Sequence, residues 1–590
     1  MKKLIISVFL GIALLMLVPS CDSFLEIDYY TILPPDHIFT SEANIQAGLI
    51  GCYDSFYPTR STTGIPNDLY HGLYFSWVPQ FKIYNHPTMD TQAGGWDAMF
   101  NYQGWGPDNP EFGLMWMWSY RAINTCNEFL VGLKGADPLL FSSLRVRDEI
   151  EAQARAIRAY NYYVLAKNFG RVPMLEEGEN YSNTPGKPRP TTDRGTWDYI
   201  ISELEWAASI LDWTPVDGKY GRVTKGFCLG YLAEAYMYID NYTEAKRIYK
   251  EIIDDGPYEL LPCYSYLFDS RRAWTKEDVW AIVLWEHVQG GQGSTGWGPA
   301  EDHYAWISFN TASGEYGGWG SLYISWEVYE SFEPGDRRRQ ASMVALGEEN
   351  PWTQQTIGAG TNAVFHGYKT AEFLPNVFTT KWWRNRPGSA YDFVDRDGNV
   401  TRIPNWVFPP TALRYLRYSH ILLNYAECCF RTGEEAIGWQ QLDLLRNRAW
   451  GNLEVVKGLS VSDHLYPIPM LETAVNVPSA QEYYTQYKAN KGYNADVGIL
   501  AVNMERRKEH NSEFTFFSDL KRSGMIEEFV NIEYPRNNGY NPATHPAEAR
   551  NDKRTFRSFE FSSQRMTFPI PQMEILANPH ISPSDQNPGY

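Results

Sequence analysis

Cysteine is scarce in this chain, with seven among 590 residues. With Cys21 set aside, Cys52, Cys126, Cys228, Cys263, Cys428 and Cys429 remain. None has C-x-x-C spacing, and several fall in apolar helical stretches. This argues against a disulfide framework or a thiolate metal site and predicts buried free thiols. Beyond residue 18 no uninterrupted apolar run approaches the roughly 18 residues of a membrane-spanning helix. Positive charge is also short: 52 Lys and Arg face 70 Asp and Glu, for a net −18. A chain this acidic is poorly suited to neutralise phosphates, so nucleic acid is not expected as a partner. Motifs of chemistry are missing too. There is no G-x-S-x-G, no H-E-x-x-H and no G-x-x-x-x-G-K, and no local pattern marks the two carboxylates of a glycosidase. Residues 395–399, DRDGN, resemble the front of a calcium loop, but Val400 stands where that loop needs glycine. A hairpin turn at Asp397-Gly398 explains them better, and His303 and His366 are isolated. No cofactor is expected, although a structural calcium ion elsewhere stays open.

The N-terminus carries the first positive signal. Met1-Lys2-Lys3 is cationic, Leu4 to Val18 is almost wholly apolar, and Pro19-Ser20-Cys21 follows. This predicts a secretory signal over residues 1–20, with cleavage before Cys21 and acylation of that cysteine. Acyl chains at Cys21 would tether an otherwise soluble body to a membrane. Without Lys2 and Lys3 the net charge becomes −20. Aromatic residues are abundant, with 21 Trp, 40 Tyr and 29 Phe making up 15% of the chain. Rings with a polar edge suit partly wet binding surfaces.

Two kinds of sequence alternate along the body. Helical periodicity marks about 150–169, 196–212, 224–239, 242–254, 413–431 and 434–449. Ala152, Ala156, Ala159, Tyr163 and Ala166 form a small-residue face suited to close helix contact. Residues 224–254 read as an antiparallel helix pair turning at Asp240-Asn241-Tyr242, close to one tetratricopeptide unit. A second pair turns at Thr432-Gly433. Residues 58–120, 286–410 and 452–497 are instead rich in Gly, Pro, Asn and Trp, and read as loops and short strands. The expected fold is mainly α: one domain over 21–590, a tetratricopeptide-like helical repeat scaffold with long loop-rich insertions and short strands.

Seven segments in order carry a family resemblance: CDSFLEID (21–28), EAQARAIRAYNYYVLAKNFGRVP (151–173), RVTKGFCLGYLAEAYMYI (222–239), LRYLRYSHILLNYAECC (413–429), LRNRAW (445–450), MERRKEHNSEFTFFSDLKRSG (504–524) and FPIPQMEILANPHISPSDQNPGY (568–590). Together they resemble the SusD/RagB family of outer-membrane nutrient-binding lipoproteins. His510 and Asn511 depart from its usual pairing, at a place that touches scaffold packing. The resemblance implies a lipid-anchored protein at the cell surface of the outer membrane. It further implies a partner, a TonB-dependent SusC-like transporter, and the capture of oligosaccharides for import without cleavage.

A sugar ring stacks its C–H face on an aromatic plane and gives its hydroxyls to amides and carboxylates. Two loop clusters offer such groups. Residues 85–109 bring Trp96, Tyr102 and Trp105 with Asp90 and Asn101, and residues 290–320 bring Trp297, Tyr316 and Trp319. Glycine flanks Trp96, Trp297 and Trp319, and the family's ligand site on such loops raises Trp96 and Trp319 above the others. The helical rings Trp116, Trp118, Trp197 and Trp206 are expected in the core. Two alternatives stay open: a peptide-binding import lipoprotein using the repeat faces, and a surface glycoside hydrolase. The charge disfavours anionic sugars unless Arg337-Arg338-Arg339 forms a local basic patch.

Overall fold

The computed structural model describes residues 35–53, 56, 78–93, 105–180, 183–215, 218, 220–268, 274–284, 322–345, 347–351, 355–356, 364–365, 368–369, 377–382, 391–394, 400–403, 411–459, 470–534 and 562–590. Within them helices α1 (Glu42–Tyr53), α2 (Val78–Asn85), α3 (Pro110–Gly135), α4 (Leu144–Phe169), α5 (Arg194–Ile210), α6 (Lys225–Tyr238) and α7 (Tyr242–Asp255) follow in order. From α3 to α7 each helix lies against the next. The array resumes at α8 (Tyr418–Arg431), which packs on α7 and pairs with α9 (Glu435–Ala449). Helices α10 (Ala480–Lys491) and α11 (Val497–Glu509) then pack on α9, and α11 also on α8, before α12 (Phe516–Arg522) and α13 (Ile526–Glu533).

Local chemistry sets the helix starts. The side chains of Asn109, Ser143, Thr224 and Asn241 accept a first-turn backbone N–H at the heads of α3, α4, α6 and α7. The small-residue face of α4 is buried as expected, which lets α3 and α5 close on it. Phe430 at the end of α8 is wedged between two helix glycines. A Cβ built on Gly438 of α9 would come within 2.7 Å of its ring, and one on Gly498 of α11 within 2.5 Å. The cysteines other than Cys21 are buried free thiols.

The strands are short and pair two by two: β1 (Thr91–Ala93), β2 (Asp278–Leu284), β3 (Leu322–Ile324), β4 (Met343–Ala345), β5 (Val377–Thr379), β6 (Tyr391–Val394), β7 (Val400–Ile403) and β8 (Thr411–Arg417). The chain between α7 and α8 opens with β2 and closes with β8. These two run antiparallel from Asp278↔Arg417 to Leu284↔Thr411, so residues 286–410 leave and return through one neck. β6 and β7 pair from Tyr391↔Ile403 to Val394↔Val400 and bracket Asp397-Gly398, whose turn lies outside the described residues.

Three expectations need correction. Residues 413–417, expected at the start of a helix, belong to β8, because Arg414 and Arg417 turn onto buried Asp278 and Glu277 at the neck. The insertion over 58–120 contains α2 and the start of α3. Trp116, Trp118 and Met115 of α3 are buried together, so no polar face announces its period. The insertion over 452–497 contains α10, opened by a Ser479 cap.

The segment 505–513, ERRKEHNSE, ties these parts together, and every residue in it is buried. Glu505 meets Arg338 at 2.8 Å and Arg446 at 3.1 Å. Arg506 meets Glu427 at 2.7 Å, Arg507 meets Asp90 at 2.8 Å, and Lys508 meets Glu333 at 2.8 Å. Glu509 is shared by Arg417, Arg338 and Arg448. Glu513 holds Arg417 at 2.9 Å and Lys381 at 2.6 Å. His510 and Asn511 sit inside this network, with His510 Nδ1 3.3 Å from Glu513.

Burial alone would raise these carboxyls, but Arg338, Lys508 and Arg446 hold Glu505 at about 2. Arginines likewise hold Glu509 below the ordinary carboxylate value, and Arg417 and Lys381 hold Glu513 below it. Burial, aided by Arg417, lowers His510 to about 3. The depressed carboxyls stabilise the fold fully at neutral pH, and that contribution fades as pH falls from about 4.5 toward 2. His510 adds a loss that begins near 6.5, where the unfolded chain takes up a proton the fold refuses. Thermal midpoints followed by circular dichroism should therefore decline gently below about pH 6.5 and steeply below about 4.5. In the core, Gly438→Ala should cost about 1–3 kcal/mol in urea unfolding, because the Phe430 ring has a second glycine behind it and little room to move.

Candidate functional site

Of the residues expected to meet ligand, Trp96, Asn101, Tyr102, Trp297, Tyr316 and Trp319 lie outside the described residues, as does Cys21. The strands on which their loops are mounted are described. β1 and β3 run antiparallel, with Thr91↔Ile324, Gln92↔Tyr323 and Ala93↔Leu322 in register. The chain leaves this pair three residues before Trp96 and re-enters it three residues after Trp319. Two clusters far apart in sequence thus adjoin one strand pair.

The root is held by charge. Asp90 is almost fully buried, and Arg507 grips both of its oxygens, with Nε 3.1 Å from each and Nη2 2.8 Å from Oδ1. Tyr534 donates its hydroxyl to the same carboxylate and exchanges a 2.7 Å hydrogen bond with Ser325 Oγ. The Ser325 backbone N–H donates to Asp90 O at 2.8 Å, which joins the end of β3 to the start of β1. Arg507 also donates to Glu533 at 3.0 Å, and Tyr487 and Tyr493 donate to Glu533 in turn. Burial pushes the Asp90 carboxyl upward and Arg507 pulls it down. Just before it, Met89 sits at φ 67 and ends the turn that aims the strand. Beneath the root, Ile324, Val328, Phe332, Met343, Ala345 and Val377 form a small core of their own.

Two expectations are corrected here. Asp90 is engaged by Arg507 and Tyr534 inside the protein, so it positions the loops from below and does not face ligand. Trp105 is also interior, edge-on to Phe112, Phe517 and Phe568 at 5.9, 6.3 and 5.4 Å. Its ring anchors the return of the first loop onto α3. The supposed basic patch is neutralised by carboxylates, and only its central residue is interior. Arg338 is fully buried against Asp336, Glu505 and Glu509, Arg337 pairs with Glu454, and Arg339 pairs with Glu348. The sequence reading passed over Arg507, Ser325, Glu533 and Tyr534. Arg507 was within reach, since it lies in the ERR run that carried the family resemblance. The other three occur in no local pattern.

Among the described residues no three or more of His, Cys, Asp and Glu gather to hold a metal ion. Among them also, no helix is long and apolar enough to cross a membrane. The root offers no reactive group; it is a rigid mount.

Comparison with known proteins fixes the kinship. Residues 276–590 match the family model described as "SusD family", and residues 79–237 match one described as "Starch-binding associating with outer membrane". The chain belongs to the SusD family. Within this family it is similar to SusD-like protein P2 of Formosa agariphila, 26% identical over 98% of each chain. A SusD-like protein of Bacteroides ovatus is 21% identical over 66% of each. A solved SusD superfamily protein from Bacteroides vulgatus overlays with a TM-score of 0.64 at 17% identity, covering 94% of this chain and all of that one. A solved laminarin-binding SusD-like protein overlays with a TM-score of 0.61 at 20% identity, covering 93% of this chain and all of that one. The mainly α SusD-like fold is therefore shared over nearly the whole length.

Removing one partner of a buried ion pair strands the other. Asp90→Ala should cost about 3–5 kcal/mol in denaturant unfolding. Hydrogen exchange at the amides of Thr91 to Ala93 should speed up well beyond exchange in α6 and α7, because the staple is local to the root.

Proposed function

We propose that this chain is a lipid-anchored protein of the outer-membrane surface that binds a neutral oligo- or polysaccharide without cleaving it and delivers it to a TonB-dependent, SusC-like transporter. The observation that carries this reading is the shared root. β1 leads into the stretch that carries Trp96 and Tyr102, and β3 receives the chain after Trp319, on a strand pair fixed by Asp90 and Arg507. A strand pair fixed from within suits such a site, because attachment points that are already ordered lose less freedom when ligand arrives. Family kinship supports the surface-binding role, and solved proteins of the same fold bear the names "Surface glycan-binding protein A" and "Laminarin binding SusD-like protein". One such protein from Bacteroides thetaiotaomicron is described in complex with laminarihexaose.

The pairing of Arg337, Arg338 and Arg339 with carboxylates favours neutral sugars. A mature chain of net −20 has no basic patch there to offset repulsion of polyuronates. The peptide alternative would use the repeat faces. On α8 every residue from Tyr418 to Cys429 is buried, so the chain itself fills that position. Anchoring through Cys21 and a structural calcium ion stand as parts of this reading to be measured, by mass spectrometry of the membrane-extracted protein.

The test is retention of the chain from residue 22 onward by a panel of plant, algal, fungal and host polysaccharides, with chromatography of any products. One neutral glycan should retain the protein and yield no new sugars. Trp96→Ala or Trp319→Ala should weaken retention about tenfold or more, the worth of a stacked ring. Released oligosaccharides would make the protein an enzyme. Binding that ignores both loop variants but fails on changes to the repeat faces would make it a peptide or protein receptor.

A further inference from the structure

A second cleft lies away from the β1–β3 root, between α1, the neck strand β2 and the chain leading into α6. It is open to solvent and holds about 550 Å³, within the range of small-ligand sites. Its walls are aromatic. Tyr220 and Trp274 stack at 6.0 Å with planes 28° apart, and Phe56 meets Trp280 at 4.4 Å. Three polar atoms in these walls are buried with no hydrogen-bond partner among the described residues: Gln46 Oε1, Trp274 Nε1 and Trp280 Nε1. Trp280 is itself only 3% exposed. Buried polar groups are ordinarily satisfied, so the unpartnered indole of Trp274 and amide oxygen of Gln46, on two partly exposed side chains of the cleft wall, call for a ligand.

The backbone points the same way. Trp274 is held at φ 49, a left-handed conformation that costs a bulky residue on the order of 1–3 kcal/mol. That geometry sets its ring against Tyr220, with its indole edge beside Gly221, where φ is 96. Ile50 of α1, half exposed, forms the outer lip.

We infer that this cleft is a second saccharide subsite, which takes one neutral hexopyranose unit stacked within its aromatic walls. The hydroxyls of such a ring accept from the Trp274 indole and donate to Gln46 after small side-chain turns, while its C–H faces meet the rings and Trp280, packed against Phe56, Tyr160 and Phe227, forms the floor. Arg222 is already occupied, donating to Gln153 at 3.2 Å, and the cleft presents no free array of cations for an acidic sugar. Connectivity links it to the first site: β2 runs from the cleft into residues 285–321, and those end on β3 at the root. The inference rests on the glycan reading and extends it to a position that reading does not use.

The experiment takes the chain from residue 22 onward carrying Trp96→Ala and Trp319→Ala, so that the loop site is disabled. Saturation-transfer NMR is recorded with methyl glucopyranoside, galactopyranoside, mannopyranoside and xylopyranoside. At least one hexoside should still bind, and adding Ile50→Arg at the exposed lip should weaken it about tenfold or more. Trp274→Ala should do the same, with circular dichroism reporting whether the fold is kept. No signal from any hexoside, or a signal indifferent to Ile50→Arg, overturns the inference. Polysaccharide retention by the unsubstituted chain is read separately. Retention without a hexoside signal sinks the second subsite alone. A hexoside signal sensitive to Ile50→Arg without retention leaves the cleft standing and sinks the loop reading.

Discussion

The interior pairing of charge around residues 505–513 is the constraint on which the rest of the structure depends. Three carboxylates and three cations in nine residues are taken out of water, and such burial is tolerated only when every member is matched. The partners come from the loop root at Asp90, the neck at Glu277 and Arg417, the short helix Arg338–Ser342, Lys381 beyond β5, and Arg446 and Arg448 of α9. No subset of these elements can dock correctly while leaving a guanidinium or carboxylate stranded. Hydrophobic contact alone accepts sliding. This arrangement does not, and it fixes where a helical array and a loop-bearing insertion meet.

Much of the array was legible because its cues are local. Alanine spacing in α4, the turn at Asp240-Asn241 and the pair turning at Thr432-Gly433 are all where periodicity and turn residues put them. The failures share one cause. In α3 burial on several sides removes the polar stripe that period-reading needs, and in β8 the deciding partners are Asp278 and Glu277, more than 130 residues away. A strand whose identity depends on distant carboxylates cannot be recognised from its own neighbours.

The candidate site was legible in part. The aromatic residues flanked by glycine fall outside the described residues, and only the strands that lead to them are seen. The roles of Asp90 and Trp105 were not legible, because an Asp and a Trp among loop residues look alike whether they face solvent or anchor the loop below. Composition misled in the same direction. Many of the counted rings floor the interior: Trp116, Trp118 and Trp197, as their helical setting predicts, but also Trp105, Trp280, Trp382, Trp439 and Trp450. The separate aromatic cleft at Trp274 and Trp280 escaped notice because its walls come from three places in the chain.

The neck formed by β2 and β8 has an evolutionary corollary. Its two strands meet within one antiparallel ladder, so the span between Leu284 and Thr411 begins and ends at nearly the same point. Closing a flexible span costs free energy that grows only with the logarithm of its length, about 0.6 kcal/mol per doubling. Changes of length in the parts of that span that hold no partner of residues 505–513 are therefore nearly neutral for the frame, whereas Glu333, Arg338 and Lys381 within it must stay. One inherited scaffold can thus be refitted by rewriting the stretches between these fixed charges, while the charged crossing at 505–513 stays unchanged.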